Sequence, residues 1–264
     1  MSIQKHALRY LLPAVCAVGL TAACSSEVPE KPGPASPAAP IGKKVDAATA
    51  GSIAGAVKFE GAVPPADIIR MTQDKNCVQN AGPNPQSDAL LVAPDKGVRN
   101  VFVYVKDGLD PQYGFETPTS PAILDQKGCV YTPRVLGVRV GQAIEVVNSD
   151  PTLHNVHALP MVNREFNHGQ PKQHTRLSEV FTTPEVMVRF KCDVHSWMAA
   201  WVGVVPHPYF AVTDAAGAFS IPGLPPGTYT LEAWHEKLGT RTAQVKIDPS
   251  QAQTASFTFG PPAK

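Results

Sequence analysis

After its first twenty residues, the chain consists of short apolar runs separated by turn residues, and no long helical periodicity is present. Tyr229, Leu231 and Ala233 alternate with polar neighbours directly after the turn sequence Leu-Pro-Pro-Gly. Alternation with a period of two is typical of a half-buried strand, and clustered proline and glycine are typical of the turns between strands. The 27 prolines and 20 glycines fit the same interpretation. The pattern therefore predicts an all-β protein.

Charge and length narrow the classes of protein further. The 264 residues are enough for one or two domains, and the formal net charge is +1. Removal of Lys5 and Arg9 with a leader would change it to −1. A nearly neutral chain has no electrostatic surface for nucleic acid, so we expect no nucleic-acid partner.

The N-terminus indicates export. Lys5 and Arg9 precede an apolar run over residues 10–20 that is too short to span a bilayer. Leu20-Thr21-Ala22-Ala23-Cys24 resembles a bacterial lipobox, although threonine departs from the usual residue at its position. This resemblance implies a lipoprotein signal peptide over residues 1–23 and lipidation of Cys24. Ordinary cleavage near the same point would instead leave a soluble periplasmic protein.

Residues 24–50 are predicted to be a disordered tether. Prolines alternate with alanine and serine there, and the segment cannot bury enough apolar surface to offset its ordering entropy. Ser25 after the lipidated cysteine indicates sorting to the outer membrane in a Gram-negative source. We therefore expect an exported protein of the periplasm or cell envelope, attached to the outer membrane by its lipid.

The five cysteines are expected to have different roles. Cys16 lies in the leader and Cys24 is the lipid site. In an oxidising compartment a remaining pair is typical of a disulfide, which predicts a bond between Cys77 and Cys129. Cys192 then stands alone and needs a separate explanation.

Metal-binding residue types surround Cys192. The sequence Cys192-x-x-His195-x-x-Met198 follows an apolar strand over residues 186–190. Type 1 copper takes two imidazoles and one thiolate in a plane, with a weak axial thioether. His154, which follows an earlier predicted strand, is the candidate for the second imidazole. Zinc is the alternative for an isolated Cys-x-x-His, but a methionine is a poor zinc ligand.

Residues 120–206 resemble the cupredoxins, the family of blue copper proteins that includes amicyanin and plastocyanin. The resemblance rests on His-Asn-Val-His from His154 onward and on the short Cys192-to-Met198 loop, which is most similar to that of amicyanin. It implies a Greek-key sandwich holding one copper ion that cycles between Cu(I) and Cu(II). His154, Cys192 and His195 would be the equatorial ligands and Met198 the axial ligand.

The resemblance also implies one supporting residue, and the position of Trp197 within the ligand loop indicates a second. Asn155 would fix the ligand loop by hydrogen bonding, as outer groups do at many metal sites. Trp197 would form a docking patch beside an exposed edge of His195, where electrons enter and leave.

The C-terminal part resembles the carboxypeptidase regulatory-like domains, which are small transthyretin-like β-sandwiches. The resemblance rests on Asp214-x-x-Gly217, the following alternation and the Leu-Pro-Pro-Gly turn. We expect two domains in series, a copper domain over residues 51–206 and a regulatory-like sandwich over 207–264. In the alternative, the sandwich comprises 51–108 and 207–260, with the cupredoxin inserted at about 110–206, because loop tips tolerate insertions.

These features together predict a carrier of single electrons and not an enzyme. Multicopper enzymes need further histidine-rich sites, and the chain has no His-x-His pair. The cupredoxin resemblance implies a c-type cytochrome, or a periplasmic dehydrogenase or oxidase, as the redox partner. The alternative is a copper-handling or envelope-binding module without electron transfer.

Overall fold

The computed structural model describes residues 42–71, 74–81 and 85–261, and strands dominate it. The predicted all-β class is confirmed. The predicted signal peptide (1–23) and Cys24 lie outside the described residues. In chain order the elements are β1 (Gly51–Phe59), α1 (Lys75–Ala81), β2 (Phe102–Asp107), β3 (Ala122–Gln126), β4 (Tyr131–Thr132), β5 (Val135–Arg139), β6 (Ala143–Asn148), β7 (His154–Leu159), β8 (Phe166–Gln170), β9 (Arg176–Val180), β10 (Glu185–Lys191), β11 (Ala199–Val205), β12 (Phe210–Val212), β13 (Ala218–Leu224), β14 (Gly227–His235), β15 (Gly239–Ile247) and β16 (Ala252–Phe259).

One pair of sheets, the inner sandwich, is formed by β3 to β11. Its sheets have the strand orders β4-β3-β6-β9 and β5-β11-β10-β7-β8. Alternate residues of each strand point between the sheets, because successive side chains of a strand face opposite sides. The shared core includes Leu124, Ile144, Val188 and Phe190, none of which is exposed. The candidate ligands lie at the start of β7 and in the loop between β10 and β11, at one end of this core.

The other pair, the outer sandwich, combines strands from both ends of the described chain. Its sheets have the orders β13-β1-β16 and β12-β2-β14-β15. Strand β1 pairs antiparallel with β13 and parallel with β16. Strand β2 lies between β12 and β14.

This pairing corrects the serial division into 51–206 and 207–264. That division gave β1 and β2 to the copper domain, but both strands complete the sheets of the C-terminal module. The reason lies in the core: Ile53 and Val57 of β1 pack with Ile221 and Phe257, and without β1 the strands β13 and β16 would have no common neighbour. The pairing is that of the nested alternative.

The two sandwiches contact each other through a small apolar cluster around Phe102 and Val205. Glycines on the inner sandwich make the close approach possible. A Cβ at Gly203 would lie 2.5 Å from the ring of Phe102, and one at Gly137 would lie 2.3 Å from the ring of Phe210. At the rim of the cluster, Arg134 of the inner sandwich forms an ion pair with Glu236 of the outer sandwich.

The last part of the predicted tether is ordered. Within residues 43–50, Lys43 donates its N–H to the Gln112 carbonyl over 2.7 Å, and the Thr49 carbonyl accepts from Ser250 over 2.9 Å. Asp46 closes a turn by accepting from the Ala48 N–H. These bonds correct the tether boundary at residue 50. In the part of the chain that the structure describes, no helix has the length and apolar character needed to cross a membrane.

We predict that Gly55→Ala destabilises the protein. A Cβ at this position would lie 1.6 Å from the carbonyl oxygen of Ala255 in the neighbouring strand. We expect a loss of about 1–3 kcal/mol or more in the free energy of unfolding, because β1 must move away from β16. Denaturant unfolding measures this change in the free energy of unfolding. Gly169→Ala is the control, since a Cβ there meets no atom within 4 Å. Equal effects of the two changes would contradict the observed pairing of β1.

We also predict that stability falls in mild acid because of His235. Burial lowers the pKa of this residue to about 4, and its Nδ1 accepts a hydrogen bond from the Lys237 N–H. The folded state therefore binds the proton more weakly than the unfolded state. The contribution of neutral His235 to the free energy of unfolding is complete above about pH 6.5. It is lost as the pH falls towards 4, and the loss reaches up to about 3 kcal/mol. His235→Phe should reduce this slope in unfolding experiments across pH; an unchanged slope would refute the assignment.

Candidate metal centre

The turn between β6 and β7 is built around a buried asparagine. Asn148 ends β6, and its amide group donates to the carbonyls of Thr152 and Gln170, each over 2.9 Å. Its side-chain oxygen accepts from the Asp150 N–H over 2.9 Å. All hydrogen-bonding groups of this side chain are thus used to fix the turn that ends at His154.

Asp150 connects this turn to the loop that carries the disulfide. Its carboxylate accepts from the backbone N–H groups of Gly128 and Cys129, each over 2.8 Å. It also lies 2.9 Å from Nε2 of His154. Because this contact is at Nε2, the carboxylate holds the imidazole from the side opposite its Nδ1. Both Asp150 and His154 are buried.

The loop between β10 and β11 closes on itself. Met198 donates its N–H to the His195 carbonyl over 2.9 Å, and Cys192 donates its N–H to the Met198 carbonyl over 3.3 Å. The His195 N–H also lies 3.3 Å from the Cys192 sulfur. Cys192 and Met198 are both at most 2% exposed and belong to the same apolar cluster.

Three of the four predicted ligands meet at one point. One side-chain donor atom from each of His154, Cys192 and His195 lies within 4.8 Å of the others. The two imidazoles approach through their Nδ1 atoms, which are 2.9 Å apart, and the Cys192 sulfur is 3.9 Å from Nδ1 of His195. The structure therefore brings together residues that are up to 41 positions apart in sequence.

Asn155 links the two ligand-bearing segments. Its side-chain oxygen accepts from the Asp193 N–H over 2.5 Å, next to Cys192. Tyr131 strengthens the link, because its hydroxyl lies 2.7 Å from the Asn155 carbonyl and 3.1 Å from the Lys191 carbonyl. The Lys191 ammonium and neighbouring amides keep the pKa of Asp193 well below its usual value.

The environment of His195 differs from the sequence-based expectation. The predicted docking patch assumed an exposed His195 edge, but the residue is 1% exposed. Its Nε2 lies 3.3 Å from the Asp74 carboxylate and 3.7 Å from the Cys77 sulfur. The reason is that α1 covers this edge. Burial lowers the pKa of His195, and the neighbouring His154 lowers it further.

Trp197 lies beside the same imidazole and is partly exposed. Its ring centroid is 5.1 Å from that of His195, and its Nε1 donates to the Cys129 carbonyl over 2.9 Å. His157, in contrast, points away to Asp193 and Glu165 and takes no part in the cluster.

The hydrogen-bond pattern suits a bound cation. A carboxylate only accepts, so Asp150 and Asp74 assign the Nε2 hydrogen to His154 and His195, respectively. In their neutral forms, both rings would then direct Nδ1 lone pairs at each other over 2.9 Å. Lone pairs at this distance repel unless a proton or a metal ion lies between them. Imidazole nitrogens with a cysteine sulfur are a donor set that fits copper, and the Met198 thioether belongs to the same apolar cluster as Cys192.

Sequence reasoning missed the two carboxylates behind the imidazoles. Asp150 lies four residues before His154, which was a local signal, since ligating histidines commonly donate their second N–H to a carboxylate. Asp74 had no such signal, because 121 positions separate it from His195. The predicted bond between Cys77 and Cys129 is present in the structure.

One of the two resemblances is matched by a family model. Residues 202–260 match the family model of the carboxypeptidase regulatory-like domain. This match covers the end of β11 and all of β12 to β16, and it excludes β1 and β2. A search of curated proteins gave no significant match.

Solved structures of cupredoxins are similar to part of the chain. A purple cupredoxin from Nitrosopumilus maritimus is 21% identical, with 31% of this chain and 98% of that chain covered and a TM-score of 0.28. A reduced amicyanin variant is 27% identical, with 32% and 81% covered and a TM-score of 0.29. A copper-containing nitrite reductase from Thermus scotoductus is 21% identical, with 37% and 25% covered and a TM-score of 0.29.

We predict that Asp150→Ala strongly destabilises the metal-free protein. The change leaves the N–H groups of Gly128, Cys129 and His154 without their buried acceptor, which we expect to cost about 3 kcal/mol or more. Asp150→Asn keeps one acceptor oxygen and should cost less. Asp248→Ala is the control, because Asp248 is exposed in a surface ion pair with Lys246. Denaturant unfolding measures these changes, and similar losses at both positions would contradict the assigned role.

Proposed function

We propose that the protein binds one copper ion at His154, Cys192 and His195, with Met198 as a weak fourth ligand, and carries single electrons. The observation that supports this proposal is the approach of the two Nδ1 atoms and the Cys192 sulfur within one buried cluster. When bound, copper would supply one-electron cycling between Cu(I) and Cu(II). No catalytic step on a substrate is proposed.

The residues of this chain would provide a nearly rigid site. Asp150 holds His154, while Asn155 joins the segment after His154 to the segment after Cys192. The N–H of His195 lies beside the Cys192 sulfur, and hydrogen bonds to a ligating sulfur help to set a redox potential. The apolar core beneath the cluster excludes water, which favours small changes in the site during electron transfer.

The redox partner would dock near Trp197 and the neighbouring loops. Leu153 and Val194, which precede the two histidines, are 45% and 40% exposed. We propose a c-type cytochrome or a periplasmic dehydrogenase or oxidase as the partner. An exported protein that is tethered to the outer membrane through lipidated Cys24 would meet such partners in the periplasm.

The burial of His195 favours copper handling as a second candidate function. An imidazole edge with 1% exposure is a poor contact for a transient redox partner, whereas a covered site retains its metal. The two candidates differ in a direct experiment. A carrier should oxidise and reduce reversibly in voltammetry; a handling module should bind Cu(I) without colour and pass it to a competing copper protein.

We predict an intense visible thiolate-to-copper band when the full chain is loaded with Cu(II). Cys192→Ser should abolish the band, and His154→Ala should weaken Cu(II) binding by at least about tenfold, because one of few ligands is lost. His168→Ala should leave both unchanged, since His168 pairs with Glu179 outside the cluster. Visible and electron paramagnetic resonance spectra measure these outcomes. Absence of the band, or binding that does not depend on Cys192 or His154, would refute the proposal.

A further inference from the structure

Between β1 and β2, the described residues 67–71, 74–81 and 85–87 belong to an excursion from the outer sandwich that reaches the candidate metal centre. At its base, the Ile69 N–H donates to the Pro85 carbonyl and the Ser87 N–H donates to the Asp67 carbonyl, each over 2.8 Å. Helix α1 lies between these two arms. The excursion therefore has a paired base and a helical tip, and its described residues supply no strand to any of the four sheets.

The tip is held against His195 by Asp74. This carboxylate caps α1 by accepting from the N–H of Asn76 over 2.7 Å. Its other oxygen accepts from the Thr152 hydroxyl over 2.7 Å and lies 3.3 Å from Nε2 of His195. One side chain thus joins the helix, the turn before His154 and the imidazole of His195.

The disulfide anchors the tip a second time. Cys77 of α1 is bonded to Cys129, and neither residue is exposed. The Cys129 N–H in turn donates to Asp150, the carboxylate that holds His154. Both imidazoles are therefore connected to α1, one through Asp74 and the other through the disulfide and Asp150.

We propose that α1 with Asp74 is a lid over the metal centre, and that Asp74 is the positioning residue of His195. The lid closes the edge of His195 to solvent and to partners, so metal ions and reagents reach Cys192 only when it opens. Asp74 holds the Nε2 hydrogen of His195 and thereby directs Nδ1 towards the metal position. This inference rests on the proposed metal-binding function.

The first test measures access to Cys192 in the metal-free full chain. Iodoacetamide alkylation is followed by mass spectrometry of the peptide that contains Cys192. The double change Cys77→Ser with Cys129→Ser should raise the rate of Cys192 alkylation by about tenfold or more. Without the disulfide, α1 is held in place only by noncovalent contacts and opens more often. Asp74→Asn, which keeps the disulfide, should raise it by about two- to fivefold.

Asp67→Asn is the matched control for access, since Asp67 is an exposed aspartate at the base of the same excursion. In this variant, Cys192 should be alkylated at the wild-type rate. Folding of each variant is checked by thermal unfolding, and Asp74→Asn decides the result if the cysteine variant does not fold. Alkylation at the wild-type rate in folded Asp74→Asn and in the folded cysteine variant would overturn the lid.

The second test concerns positioning and uses Cu(II)-loaded protein. Asp74→Asn should shift the thiolate band and the copper hyperfine splitting, Asp74→Glu should return both part of the way, and Asp67→Asn should match wild type. An unshifted spectrum in Asp74→Asn would overturn the positioning role. If wild type has no thiolate band but alkylation responds to the lid variants, the proposed function fails while the lid stands.

Discussion

The imidazoles of His154 and His195 face each other through nitrogen atoms 2.9 Å apart, and each ring is held from behind by a carboxylate. This arrangement constrains much of the inner sandwich. The start of β7 and the end of β10 must lie at the same edge, and the turn around Asn148 must keep one geometry. The disulfide loop must also remain near Asp150. Two rings in these tautomers would separate in the absence of a cation unless the surrounding hydrogen bonds resisted it.

The support for this pair comes from three separate parts of the chain. Asp150 belongs to a turn next to its histidine, Tyr131 comes from the opposite sheet, and Asp74 belongs to an excursion from the outer sandwich. The two modules are therefore coupled at the site as well as through Phe102 and Arg134 at their interface. Through this excursion, the outer sandwich contributes directly to the environment of a candidate ligand.

The sequence was sufficient for the features that depend on local spacing. Cys192, His195 and Met198 lie in one short loop, and the disulfide followed from cysteine number and compartment. Non-local features were not predictable in the same way. The strand pattern of β1 would suit either sandwich, because apolar alternation specifies a buried face but no partner. The cover over His195 arises from a contact between residues 121 positions apart, for which a single sequence contains no pairing signal.

The parallel pairing of β1 with β16 has a consequence for biosynthesis. Ser52 lies opposite Ala252 and Phe59 lies opposite Phe259, so one of the first strands to be made has a partner among the last. The inner sandwich is complete once β11 has been synthesised and can fold while β1 still has an open edge. Unpaired edges promote association with other chains, and closure over such long sequence separations is slow. A chain that terminates before β16 would thus contain a finished inner sandwich attached to a strand with an unpaired edge, and we expect such a chain to aggregate.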